Sequence, residues 1–264
     1  MLTAHVAGIG TLGPGFPDWD RARSILRQEA VYDGGWLPAS SASRLPATER
    51  RRATAVTRMV IDVIGEALSG HDPAHIATVF TSSGGEVEVI HHIFEELAHS
   101  SPVLSPMQFH NSVHNTAAGY WGIATSSHAA SSSLCAYDDS FGSGLLEAIV
   151  HCQVEACPVL LAACDFPPGF PLSVARPLKG PFGAALLLLP EKTSGVIATL
   201  KAEFIGGHAE SGLDHPELEV LRQNNPAARS LPLLSALANE QSRVLHFGCG
   251  LSGSLRVITE PHAE

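Results

Sequence analysis

Positive charge is scarce in this sequence. Sixteen Lys and Arg face 26 Asp and Glu across 264 residues, a formal net charge of −10. Phosphate recognition needs clustered cations, so nucleic acid is excluded as the main partner. Long apolar runs are missing too. The longest, Phe182 to Leu189, falls far short of a bilayer span. The start, Met1-Leu2-Thr3-Ala4-His5, lacks the basic flank and apolar core of a signal peptide. Cysteine is sparse and odd in number: five residues, at 135, 152, 157, 164 and 249, with no CxxC pair and no zinc spacing. Apolar neighbours such as Val159, Leu160 and Leu161 read them as buried reduced thiols. What is plentiful is apolar. Hydrophobic residues make up 45% against 16% charged, which excludes a disordered chain. A soluble, cytoplasmic, globular protein with no metal and no cofactor is expected.

Strands and helices alternate along the chain. His5 to Gly10 reads as a strand, Trp19 to Arg27 as a helix, and 28–47 as a Ser-, Gly- and Pro-rich excursion. Val56, Met59, Val60, Val63, Ile64, Ala67 and Leu68 recur at helical spacing, which predicts one helix over Glu49 to Leu68, stopped by Gly70. Ile76 to Thr81 is a strand entering Ser82-Ser83-Gly84-Gly85, and a helix over Val87 to Leu97 follows. Ser100 to Met107 reads as a loop, with a helix from about Asn111 through Trp121. Ser131 to Tyr137 is a strand, Phe141 to Cys152 a helix and Pro158 to Ala163 a buried strand. Strands at Ala184–Leu189 and Val196–Phe204 come next. The tail suggests helices at 215–222 and 232–239 and strands at Arg243–Phe247 and Ser254–Thr259. No repeat or linker divides the chain, so an α/β layered domain over 1–264 is expected.

Four constellations bear on chemistry. Ser143 lies in Phe141-Gly142-Ser143-Gly144, but a nucleophile elbow needs glycine where Phe141 stands. The plainer reading is that Gly142 and Gly144 permit close backbone approach at a helix start. Cys135 is followed by Asp138 and Asp139, whose charge opposes a thiolate, so a structural thiol is expected. His110 and His114 share a helical face only if their segment is one helix, and Asn111 replaces the Glu of the metalloprotease motif. Arg50, Arg51 and Arg52, with Arg44 and Arg58 nearby, would oppose the dipole in a first helical turn. They form either a solvated face or a landing patch for an anionic partner.

Several of these segments resemble the β-ketoacyl synthases. Leu45-Pro46 to Leu68 is similar to that family's arginine-containing first long helix. Ser105-Pro106-Met107 and Ser112 to Gly119 resemble the approach to its dimer-contacting helix. Ser131 to Ala148 resembles the strand and helix around its nucleophile, and Pro181 to Leu189 the strand after its Gly-Ala-Ala turn. His246 to Leu255 is similar to its Gly-Phe-Gly-Gly loop and final strand. The resemblance implies a thiolase-like layered fold: an amino-terminal half over 1–205 and a much shortened carboxyl-terminal segment over 206–264.

The departures set the expected function. The family places its catalytic Cys two residues before a Ser-Gly pair; counting back from Ser143-Gly144 lands on Phe141. The family's His-Gly-Thr-Gly-Thr motif does not occur. The resemblance therefore implies a non-catalytic, chain-length-factor-like subunit of the type found with bacterial aryl polyene synthases. It would pair with an active synthase as a heterodimer, using Ser131, Ser133, Cys135 and Tyr137 at the interface, with Phe141 in the acyl tunnel. Arg50, Arg51 and Arg52 would receive an acidic acyl carrier protein. The alternative is a stand-alone acyltransferase or thioesterase that uses Cys135 or Ser143.

Overall fold

Strands Val159–Asp165 and Phe182–Leu189 are buried along their whole length, as runs covered on both faces must be. A computed structural model describes residues 1–68, 70–250 and 252–262. It contains β1 (Leu2–Leu12), α1 (Trp19–Leu26), α2 (Ala47–Arg52), α3 (Ala55–Ala67), β2 (Ala77–Thr81), α4 (Val87–Leu97), α5 (Pro106–Asn111), α6 (Thr116–Thr125) and β3 (Ser131–Leu134). Then come α7 (Ser140–Val154), β4 (Val159–Asp165), α8 (Leu172–Ala175), β5 (Phe182–Leu189), β6 (Ala198–Gly206), α9 (Pro216–Asn224), α10 (Leu231–Ala238), β7 (Val244–Gly248) and β8 (Gly253–Pro261). The strands form one mixed sheet in the order β3-β2-β4-β5-β1-β6-β8-β7.

Side chains of successive strand residues point to opposite faces, and the core divides accordingly. Leu161, Ala163, Leu186 and Leu188 pack with α1, α7, α9 and α10 on one face. Leu160, Ala162, Leu187 and Leu189 pack with α3 and α6 on the other. The expected α/β layering is present. The carboxyl-terminal segment joins the same sheet: Gly253 to Pro261 of β8 pair antiparallel with Gly206 to Ala198 of β6, which itself pairs with β1. No helix among the described residues is long and apolar enough to cross a membrane.

The helix expected over 49–68 is two helices. Ala53 and Thr54 are extended, and Thr54 Oγ1 accepts the Thr57 amide at 3.1 Å as the N-cap of α3. Asn111 Nδ2 donates to the Arg52 carbonyl at 3.0 Å and so closes the end of α2. The arginine triplet thus occupies the last turn of a short helix, where positive charge complements the dipole instead of opposing it. Two boundaries also move. Pro106 starts α5 inside the expected loop, with Ser105 as its N-cap. The next helix begins at Thr116, after a turn, not at Asn111.

Glu66 of α3 ties two amino-terminal elements together. Its Oε2 accepts the Thr11 amide at 2.9 Å and its Oε1 the Trp19 amide at 2.6 Å. Burial, reinforced by nearby Asp18 and Asp20, pushes its carboxyl up to about 7 from 4.5, against the two amides. In that interval the folded chain holds a proton that the unfolded chain has released, so this contribution to stability falls as pH rises. Urea midpoints of the wild type should therefore drop between about pH 5 and about pH 8. In Glu66→Gln the drop should be smaller, leaving the part due to other buried carboxyls; an unchanged slope would contradict the assignment.

Candidate functional site

The end of β2, the edge strand β3, the start of α7 and the tail strand β7 converge at one end of the sheet. Thr81 Oγ1 donates to the Ser140 carbonyl at 2.8 Å, holding the first turn of α7 on β2. Small residues make this approach possible. A Cβ at Gly144 would stand 2.8 Å from Thr81 Cγ2, and one at Gly142 would overlap the Gly248 carbonyl. The close-approach reading of these glycines is what the structure displays. Just before them Phe141 points inward, 2% exposed, its ring edge-on to Phe247 with centroids 5.3 Å apart.

Ser143 is half-buried, and its Oγ lies 3.9 Å from Cys249 Sγ. Cys249 is buried, and desolvation pushes its thiol up. Cys135 departs from the buried-thiol expectation. It stands just past the end of β3, exposed, with its thiol donating to the Ser83 carbonyl at 3.1 Å. Neither Cys135 nor Ser143 is hydrogen-bonded to a histidine among the described residues. A nucleophile of either kind needs such a base within reach. His110 lies in the last turn of α5 while His114 sits in the turn that follows, so they do not share a helix.

The strand expected to reach Tyr137 stops at Leu134, because Tyr137 has φ +55° and begins a tight helical turn. Arg176 covers the Tyr137 ring, its guanidinium 3.7 Å from the centroid, and pairs with Asp138 at 2.6 Å. From Asp138 the ion pairs continue. Arg229 approaches it at 3.5 Å and also binds Glu210, which Arg222 reaches at 2.9 Å. Arg222 hydrogen bonds hold Glu219 down to about 2. The sequence reading missed this network, whose members are far apart in the chain. It also missed Asp165, whose Oδ1 accepts the Ser83 amide, the Ser83 hydroxyl and the Ser82 hydroxyl at 2.7, 2.7 and 3.0 Å. These bonds set the Ser-Ser-Gly-Gly loop, and burial still pushes Asp165 up to about 6.

Two features lie open to the outside. The first is β3. Leu134 accepts from the Ser82 amide and Ala130 from the Thr78 amide, so alternate backbones, Ala130, Ser132 and Leu134, face β2. Ser131, Ser133 and Cys135 then direct their N–H and C=O groups away from the sheet. Beside this edge, a groove of about 680 Å³ runs along Glu147, Val150, His151 and Val154, one face of α7, with Val154 69% exposed. The opposite sheet edge is covered: the Ser211 amide and hydroxyl engage the His246 carbonyl and amide of β7, both at 3.0 Å. The second feature is the arginine cluster. Arg50 turns inward to the Leu45 carbonyl, Arg52 pairs with Glu49 at 3.2 Å, and Arg51 is exposed. Leu251, in the tail stretch that carries the family resemblance, lies outside the described residues.

The sequence model of the family described as Beta-ketoacyl synthase, N-terminal domain, matches residues 24–250. No curated protein matches. Among solved structures, the ketosynthase ApeO in complex with its chain length factor ApeC from Xenorhabdus doucetiae shares 24% identity, with TM-score 0.72 over 98% of this chain and 100% of that chain. The ishigamide ketosynthase/chain length factor gives TM-score 0.72 at 12% identity over 99% and 100%. The type II AntDE ketosynthase in complex with the acyl-carrier protein AntF gives 0.71 at 12% identity, over 99% of each chain. These likenesses establish the thiolase-like synthase fold.

Truncating a ring this well buried leaves a cavity that the glycine-tight surroundings cannot collapse. Phe141→Ala should lower unfolding stability by about 3–5 kcal/mol. Equal urea midpoints for variant and wild type would show that Phe141 does not support the core.

Proposed function

The chain belongs to the β-ketoacyl synthase family, and from that premise we propose that it is a non-catalytic, chain-length-factor-like subunit of a type II polyketide synthase of the aryl polyene kind. One observation carries the reading. The position where the family resemblance calls for a thiol is Phe141, which is buried and turned onto Phe247. A hydrocarbon ring has no nucleophile, and the family's histidine motif is missing from the sequence. In this reading Phe141 closes the end of an acyl tunnel that an active synthase fills with its reactive cysteine.

A non-catalytic subunit needs a catalytic partner, and the β3 edge is the surface suited to one. Its outward backbone groups at Ser131, Ser133 and Cys135 are free to continue the sheet antiparallel, with small side chains that let two backbones approach. Tyr137 and the α7 groove extend the same surface. So does the apolar face left uncovered on α4 to α6, where Phe94, Leu97, Phe109, Val113 and Ile123 are exposed. A permanent heterodimer built here should bury more than about 2,000 Å². Proline at 133 removes one outward N–H while leaving the bonds to β2 intact. Ser133→Pro should therefore fold with the wild-type melting temperature yet fail to co-elute with the active synthase of its gene set. Co-elution equal to wild type would overturn the pairing surface.

The patch for an acyl carrier protein is narrower than the triplet suggests, because Arg50 is turned inward. Arg51 and Arg52 remain to offer local positive charge on an acidic chain. Exposed charges act mainly on association rate and are screened by salt. In the complex, Arg51→Ala with Arg52→Ala should slow carrier association several-fold at low salt and much less at moderate salt. Identical rates at both salt levels would remove these arginines from carrier recognition.

A further inference from the structure

A small cavity of about 30 Å³ lies on the α3 and α6 face of the sheet, beside β3. Val56, Val60, Phe80, Ala117 and Ala162 make its apolar wall. Ser133, the residue whose backbone faces outward, and the exposed His114 also line it. Set into the wall is Glu86, 6% exposed. Its Oε1 accepts the Thr54 hydroxyl at 2.6 Å and the Thr57 hydroxyl at 2.9 Å. Its Oε2 has no hydrogen-bond partner among the described residues and keeps some accessible surface. Thr81, which also lines the cavity, separates it from the first turn of α7.

Both the size and the chemistry of this cavity are selective. About 30 Å³ admits a water-sized group and excludes a ring or a length of alkyl chain. An apolar tip seated there would leave a carboxyl oxygen buried and unpaired, whereas a hydroxyl would satisfy it. Desolvation pushes the Glu86 carboxyl up, opposed by the two threonine hydroxyls, so its free oxygen sits in a poorly hydrated place where one hydrogen bond has weight. Resting on the pairing proposed above, we infer that Glu86 recognises a terminal hydroxyl on the acyl chain that the synthase partner delivers across β3. Sites built to bond a hydroxyl discriminate strongly against analogues without one.

The test uses the assembled heterodimer with octanoyl and ω-hydroxyoctanoyl groups on the carrier protein, in competition for elongation. The wild-type complex should favour the hydroxylated chain by about tenfold, a single hydrogen bond's worth. Glu86→Leu should erase that preference while octanoyl elongation continues. Ala117→Val, which narrows the cavity from its apolar wall and keeps the Glu86 carboxyl, should erase it too and decides the matter if the leucine variant does not fold. A wild-type complex that assembles and elongates both chains equally overturns the Glu86 assignment alone, as does a preference that survives both variants. Failure of the two subunits to assemble removes the pairing proposal and this inference with it.

Discussion

The clamp on the first turn of α7 is the contact on which the rest of the structure depends. Gly142 admits the Gly248 carbonyl from one side and Gly144 admits Thr81 from the other, so the helix start is held between β2 and β7. Those two strands are far apart in the chain and lie six places apart in the sheet order. Their joint grip leaves Phe141 one direction to point, into the core against Phe247. A branched residue at either glycine would push the tail off the helix and release the ring. The ion pairs from Arg176 through Asp138, Arg229 and Glu210 to Arg222 brace the same turn from outside. They are partly buried, and so are less weakened by solvent than exposed pairs.

The strands after β5 complete the sheet on its other side. Without β6 to β8, strand β1 would expose its outer edge, and the apolar residues beneath α1 and α10 would face water. Antiparallel pairing of β6 with β1 and of β8 with β6 removes that exposure. The segment around Ser211 covers the last edge, on β7. One sheet edge is left open, and it borders the helix start that holds Phe141. The buried Phe141 ring and the serine-rich edge of β3 thus lie on adjoining segments of the chain, one turned into the core and the other turned outward.

Much of this was legible in the sequence, because it rests on local patterns. The apolar run of β5, the helical spacing of α3 and the Gly-Ser-Gly start of α7 each express a single element's burial. Phe141 was found by counting from Ser143-Gly144. The break at Thr54 was missed although a signal existed, since a threonine before the periodic stretch is a capping residue and the arginines hid it. Other features had no local signal. Glu86 is buried because Thr54 and Thr57 lie against it from across the fold, and Asp165 because the Ser82-Ser83 loop folds over it. Cys135 was expected to lie inside a strand, but the positive φ at Tyr137 ends the strand early and leaves the thiol outside. Long-range contacts, not propensity, decided each of these.

Hydrogen exchange at the β3 edge tests the central claim most directly. In the free chain the outward amides of Ser131, Ser133 and Cys135 have no strand beside them, whereas those of Ser132 and Leu134 face β2. Adding the active synthase should slow exchange at the outward amides by at least about tenfold and leave the β7 edge unchanged. Protection confined to β7, or none at β3 while the proteins co-elute, would contradict a subunit that continues its sheet into a catalytic partner.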